Sequence, residues 1–225
     1  MKNDILNSWK KNAEEWNAMI EGKNIPSRTY TDKAILEAIK SFRLKKVADL
    51  GCGEGWLCRE MSKNQIEAVG FDATRALLKI AKEKGNETYY PLEFGEIIKG
   101  RPLPKAPFTG AVFNFSLYQK NHLDLLFQEV LNSLDRKGIL LIQTLHPFYL
   151  IANGFGYRSQ WLRDSWKGLP GNFEDGHSWY ARTMEDWIEL ISKIPQISFK
   201  IHEVINDKGK PLSLLIILKK RHGKI

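Results

Sequence analysis

The 225-residue sequence has only two cysteines, Cys52 and Cys58. They form no disulfide framework and lack the C-x-x-C spacing of a zinc site, so both read as small packing residues. The histidines, His122, His146, His177, His202 and His222, are scattered, and no metal is expected. No apolar run approaches the roughly 20 residues of a bilayer-spanning helix. The opening Met1-Lys2-Asn3-Asp4 has no apolar signal region, so a cytosolic protein with no membrane partner is expected. Internal repeats and low-complexity tracts are missing too. Helix-compatible sequence is scarce between residues 95 and 109, where Gly100, Pro102, Pro104 and Pro107 leave little room for one.

Acidic residues are outnumbered: 26 against 34 Lys and Arg, a formal charge of +8. That keeps nucleic acid open as a partner. Much of the excess is local, however, in Lys40, Arg43, Lys45 and Lys46 and in a tail of Lys219, Lys220, Arg221, His222 and Lys224. Such clusters are more often solvated surface than a binding groove, and no nucleic-acid motif accompanies them. With 43% hydrophobic residues the chain can bury a real core, within the size range that α/β folds fill as one domain.

What is present is concentrated at Val47-Ala48-Asp49-Leu50-Gly51-Cys52-Gly53-Glu54-Gly55. An apolar run ends in a carboxylate and three alternating glycines, as a strand does when it delivers backbone to a nucleotide-sized ligand. Glycine permits the required torsions and lets main-chain N–H groups approach closely, and a helix from Gly55 adds its positive end. A dinucleotide fingerprint reads G-x-G-x-x-G. Here the third glycine comes one residue early and Trp56 follows it, which favours a nucleoside ligand without a pyrophosphate. Glu67-Ala68-Val69-Gly70-Phe71-Asp72 reads as a second buried strand, and Asp72 lies 19 residues beyond Gly53, where a carboxylate accepts from ribose hydroxyls. The same Asp can also cap the helix from Thr74.

The remaining pattern alternates. Two helices, one carrying Trp9, Ala13, Trp16 and Ile20 and one following Thr31-Asp32 as its cap, precede strand 47–50. Then come a helix from 55, strand 67–71, helix 74–84, strands near 88–92 and 110–115, helix 122–134 and strand 138–145. Such alternation specifies a parallel sheet covered by helices on both faces. A helix from Met184 and two strands near 196–205 and 212–219, joined by a turn at 206–210, close the chain as an antiparallel hairpin.

The glycine motif, the second-strand Asp and the closing hairpin together resemble the class I S-adenosylmethionine-dependent methyltransferases, over most of residues 28 to 219. The resemblance implies an α/β fold: a Rossmann-like seven-stranded sheet with helices on both faces. It further implies a single domain with an N-terminal helical cap (1–43), a cofactor-binding core (44–145), an aromatic-rich lid (146–182) and a closing helix and hairpin (183–225). It implies S-adenosylmethionine as cofactor, contacted at its methionine end by Asp49, Gly51, Cys52, Gly53, Gly55 and Trp56, at its ribose by Asp72, and at its adenine by Ala73. Glu93-Phe94 stands where the family usually has an Asp near the adenine amine. The family's Phe-Asp at the start of the fourth strand is replaced by Phe108-Thr109, but Asn114, Phe115 and Ser116 resemble the segment between cofactor and substrate. Ile25-Pro26-Ser27-Arg28 resembles a stretch from which an Arg reaches the cofactor carboxylate, to which a guanidinium fork is suited.

A sulfonium is already an activated electrophile, so the protein's task is to align the acceptor and exclude water; a base is needed only for a protonated acceptor. Candidates are His146, directly after the fifth strand in Leu145-His146-Pro147, and His177 and Tyr180, ahead of the helix from Met184. Each has a packing or hydrogen-bonding role as its alternative. The stretch from Phe148 to Trp179 contains eight large aromatics, a composition that argues for an ordered lid over the acceptor or for packing against Trp9 and Trp16. A small-molecule acceptor with an O or N nucleophile is expected. The rivals are an RNA or protein methyltransferase and a non-catalytic binding protein that retains the fold.

Overall fold

The computed structural model describes residues 2–221; His222 and Lys224 of the basic tail lie outside them. Seven strands form one sheet: β1 (Lys46–Leu50), β2 (Glu67–Asp72), β3 (Thr88–Pro91), β4 (Phe108–Asn114), β5 (Leu134–Leu145), β8 (Ile197–Ile205) and β9 (Pro211–Lys220). Their order is β3-β2-β1-β4-β5-β9-β8. The first five are mutually parallel, while β9 runs antiparallel to both β5 and β8. The order reverses between β1 and β4, and the crevice beyond the carboxyl ends of strands at such a switch point is where open α/β sheets bind ligands.

Successive side chains on a strand face opposite ways, and here each way meets a helix layer. Leu140 and Ile142 of β5 join the core beneath α7 (Leu123–Asn132) and α9 (Met184–Ser192). Ile139 and Leu141 join the core beneath α3 (Arg28–Ser41), α4 (Trp56–Lys63) and α5 (Arg75–Lys84). Burial on both faces explains why the central strands are continuous apolar runs. Thr183 caps α9, its hydroxyl accepting from Asp186 N–H at 3.2 Å.

Three differences from the sequence reading have local causes. The first helix is two, α1 (Lys2–Lys11) and α2 (Ala13–Glu21), parted at Asn12. The Asn12 amide donates to the Ser8 and Glu174 carbonyls, both at 2.7 Å, and its oxygen accepts from Glu174 N–H at 2.8 Å. A distant segment is thus pinned at the break. Next, α3 starts at Arg28 rather than after Thr31-Asp32; Ser27 precedes it, and Asp32 pairs with Arg28 one turn away. Finally, a short helix α6 (Phe94–Ile98) occupies the start of the stretch read as non-helical, because Glu93 and Glu96 form a reciprocal capping box upstream of the prolines.

The stretch 146–182 is ordered rather than plain loop. It carries α8 (Phe148–Ala152) and a small antiparallel pair, β6 (Gln160–Leu162) with β7 (Trp179–Ala181). Among the described residues no helix is long and apolar enough to cross a membrane.

Candidate active site

The loop after β1 is a strained turn that only glycine fits at two points. Gly51 has φ +79°, and a Cβ there would lie 2.3 Å from that of Ser116. Gly55 has φ +80°, and a Cβ there would lie 2.4 Å from the Tyr89 hydroxyl. The sequence reading had the loop's N–H groups turned toward a ligand, and the structure corrects this. Gly51 and Cys52 N–H donate to the Phe71 carbonyl at 2.7 and 3.1 Å, Gly55 N–H to the Cys52 carbonyl at 3.0 Å, and Gly53 N–H to Asp72 at 2.9 Å. With these donors consumed the loop is no phosphate cradle; the glycines serve close approach alone.

Asp72 closes the end of β2 over the loop. Its two oxygens accept from Gly53 N–H at 2.9 Å and Thr74 N–H at 2.7 Å, so it caps the following turn and fixes the loop with one carboxylate. Burial raises its pKa, opposed by those N–H groups. Asp49 sits beneath the loop, only 1% exposed, with the Cys58 thiol donating to it at 3.5 Å. Burial pushes it up to about 7. It therefore supports the loop from below rather than standing at its face. Cys52 is likewise buried, its sulfur packed toward Gly70.

On one flank the Arg28 guanidinium lies 4.5 Å from the centre of the Trp56 ring and donates through Nε to Asp32 at 3.0 Å. Burial lowers the Arg28 pKa, and Asp32 and Glu54 oppose that. Burial, partly offset by Arg28, pushes Asp32 up to about 6. Glu54, fully buried in the loop, is held by Arg59 at 2.5 Å and Lys84 at 3.5 Å.

The end of β4 supplies the opposite wall. Asn114 Oδ1 is buried and, among the described residues, has no hydrogen-bond partner. Phe115 adopts φ +52° and donates its N–H to the Gln143 carbonyl at 2.8 Å. Ser116 Oγ donates to the Leu50 carbonyl at 2.7 Å, tying β4 to the glycine loop. Phe94 lies 3.6 Å from the position a Gly51 Cβ would take and meets Phe113 edge-on, with ring centres 5.3 Å apart. Ala73 is half-buried beside Asp72, and Glu93 caps α6.

The three candidate bases part company. His146 has both ring nitrogens engaged: Nδ1 accepts from Phe148 N–H at 3.0 Å, leaving Nε2–H to face Glu203 at 2.7 Å. That pairing turns it toward β8. The Tyr180 ring packs on Trp161 and lies near Lys120 and Arg182 in a cleft that Asp186 also lines, and the Tyr180 N–H donates to the Tyr118 carbonyl at 2.9 Å. His177, in contrast, is 3% exposed and sits among aromatic rings, with centres 4.7 Å from Tyr118, 5.9 Å from Trp166 and 6.3 Å from Trp9.

Tyr118, Trp9, Ser8 and Asn12 were not singled out from sequence as site residues. Tyr118 is close enough to Asp72 for that carboxylate, after burial, to raise its pKa. Trp16 Nε1 lies 4.0 Å from the position a Gly53 Cβ would take. The segment 164–177 is stitched to α1 and α2: Trp166 Nε1–H donates to Ser8 at 2.9 Å, Asn172 N–H to Glu15 at 2.8 Å, and Lys11 pairs with Glu174 and Asp175. Packing of the aromatic stretch on Trp9 and Trp16 is one of the sequence expectations, and Trp166 meets both rings, at 4.7 and 6.2 Å between centres; the polar pairings of Ser8, Lys11 and Glu15 had no sequence signal. Among the described residues no group of His, Cys, Asp and Glu is arranged to hold a metal.

Strand order, a glycine loop with its donors turned inward and a carboxylate ending β2 define a class I methyltransferase fold. A family model described as "Methyltransferase domain" matches residues 27–192, and the chain belongs to that family. The ubiquinone biosynthesis O-methyltransferase of Bartonella quintana (strain Toulouse) is 22% identical over 130 residues, covering 56% of this chain and 53% of that protein. The chain spans about half the length of the curated relatives it matches. Two solved structures share the fold over nearly the whole chain. One is the DhpI–SAM–HEP complex, with TM-score 0.71, 14% identity and 97% of each chain covered. The other is 1,6-didemethyltoxoflavin-N1-methyltransferase from Burkholderia thailandensis, with bound 1,6-didemethyltoxoflavin and S-adenosylhomocysteine. Its TM-score is 0.68 at 13% identity, with 98% of this chain and 89% of that one covered.

Proposed function

We propose that the chain is an S-adenosylmethionine-dependent methyltransferase that delivers a methyl group to an O or N nucleophile of a small molecule. The observation that carries this reading is the inward-turned glycine loop beside Asp72. With Gly51, Cys52, Gly53 and Gly55 N–H all consumed, the loop suits a cationic nucleoside far better than a pyrophosphate. S-adenosylmethionine fits the surrounding groups. Asp72 has lone pairs left for ribose hydroxyls, the Arg28 fork suits the cofactor carboxylate, and the unpartnered Asn114 Oδ1 suits its ammonium. Phe94 and Ala73 offer an apolar wall for adenine.

When bound, the cofactor supplies a methyl group already activated on a sulfonium. The chain's own residues then have three tasks: to fix the loop, to hold the acceptor, and to exclude water. Asp72 and Ser116 perform the first through their bonds to Gly53 and Leu50. The segment 164–177, stitched to α1 and α2, performs the last. Alignment of this kind contributes on the order of 7 to 11 kcal/mol at its best. The matched proteins named for O- and N1-methyl transfer support both acceptor atoms, and a cytosolic setting is part of this reading. To test it, a cell metabolite extract is incubated with the protein and cofactor and profiled by mass spectrometry. A small molecule gaining one methylene unit is expected; methyl incorporation into RNA or protein alone would move the substrate class elsewhere.

A further inference from the structure

His177 is the one candidate base whose hydrogen bonding leaves a nitrogen open, and its surroundings say what that nitrogen meets. Nδ1 lies 3.1 Å from the Ser178 carbonyl. A carbonyl only accepts, so Nδ1 carries the proton and Nε2 of the neutral ring carries the lone pair. Nε2 is buried and, among the described residues, has no partner. Burial lowers the His177 pKa, which keeps the ring neutral. A buried acceptor without a donor is costly, on the order of 1 to 3 kcal/mol, so a donor from a water or a ligand is favoured there.

The walls around it are aromatic and their own polar atoms are spoken for. The Tyr118 hydroxyl donates to the Phe115 carbonyl at 2.8 Å, and Trp166 Nε1–H donates to Ser8 Oγ at 2.9 Å. None of the rings packed on His177 carries a formal charge, which suits a neutral ligand better than an ionised one. The walls also come from three separate stretches: Trp9 on α1, Tyr118 after β4, and Trp166 in the segment ahead of β7. Access for a ligand would need α1 to part from that segment, to which Ser8 and Lys11 bind it. Tyr118 links it to the cofactor side, since it lies near enough to Asp72 to feel its charge.

We infer that the cage around His177 holds the methyl acceptor, and that the acceptor is a neutral, planar aromatic compound bearing an O–H or ring N–H that donates to Nε2. This rests on the methyltransferase reading above. The acceptor atom bonds to the methyl carbon as the carbon–sulfur bond breaks with its electron pair left on sulfur. The acceptor's proton passes to Nε2 and leaves to water when the imidazolium reverts.

Two measurements test the inference. The first is nitrogen NMR of the ligand-free wild-type protein, in which His177 should show a protonated Nδ1 and an unprotonated Nε2; the opposite tautomer would overturn the assignment. The second is calorimetry of naphthol and of its methyl ether against protein saturated with S-adenosylhomocysteine. Naphthol should bind about tenfold more tightly than the ether, the worth of one hydrogen bond, and the gap should close in His177→Leu. Equal binding of the two, absence of naphthol binding, or a gap that survives in His177→Leu would each refute it. Failure of S-adenosylhomocysteine itself to bind would instead sink the methyltransferase reading. The NMR result and naphthol titration of the unloaded protein would still decide the cage.

Discussion

Around the ends of β1 and β2 the site is held by main chain, through the Phe71 carbonyl, the loop N–H groups and one carboxylate at Asp72. Across the crevice it is held by side chains that meet from far apart: Ser8 with Trp166, Asn12 with Glu174, Tyr118 with His177. The first arrangement is local and rigid, its partners no more than about twenty residues apart, and it suits an invariant ligand. The second depends on pairings separated by more than 150 residues for the Ser8 and Asn12 contacts. Such a wall can be re-cut for a new acceptor without disturbing the loop.

The main-chain half of the site is most sensitive at Gly51. Gly51→Ala forces a left-handed alanine against Ser116, combining roughly 1 to 2 kcal/mol of backbone strain with 1 to 3 of overpacking. A stability loss of about 2 to 5 kcal/mol in urea unfolding is expected, with cofactor affinity lost alongside. A variant as stable as wild type would mean that the loop is not rigid.

Asp49 tests the same side through pH. Its folded pKa, about 7, lies above the ordinary carboxylate value of 3.8. Its stabilising contribution is therefore fully present below about pH 4 and is lost as pH rises through 7. Asp49→Asn removes that dependence, so the variant should gain on wild type as pH rises from 4 to 8, by a few kcal/mol at most on the order set by the shift. Parallel stability curves for the two proteins would show that the carboxylate is not buried as described.

On the side proposed for the acceptor, Trp166→Phe keeps the ring stack but strands the buried Ser8 hydroxyl, costing about 1 to 3 kcal/mol of stability. Turnover should fall while the S-adenosylhomocysteine affinity stays within about twofold, a difference under 0.5 kcal/mol. Equal loss of both would merge the two regions into one. The smallest effect is expected at His146→Asn: the pair with half-exposed Glu203 is worth about 1 kcal/mol or less, and the pH–rate profile should not change.

How much of this was legible in the sequence follows the same division. The glycine loop, Asp72 and the succession of strands and helices along the chain could be read because each is a local pattern: alternating glycines, an acid ending an apolar run, alternating strands and helices. Helix α6 also had a local signal, Glu93-x-x-Glu96, hidden by the prolines after it. By contrast, His146 and His177 looked equivalent in sequence. What separates them is Glu203 on one ring and an aromatic cage on the other, partners that no spacing announces. Tyr180 was grouped with them by proximity to His177, yet strand alternation in β7 sends its ring to the cleft that Asp186 lines. The inward turn of the loop's N–H groups was likewise invisible, because Phe71 meets the loop only once β1 and β2 pair.

Whether a nucleoside sulfonium rather than a dinucleotide occupies the backbone-built half of the site is decided by calorimetric titration with S-adenosylhomocysteine and with NAD. Saturable one-to-one binding of S-adenosylhomocysteine is expected, weakened in Asp72→Ala by roughly 1 to 3 kcal/mol as ribose loses a charged acceptor, with no heat from NAD. Saturable NAD binding with none of S-adenosylhomocysteine would contradict it.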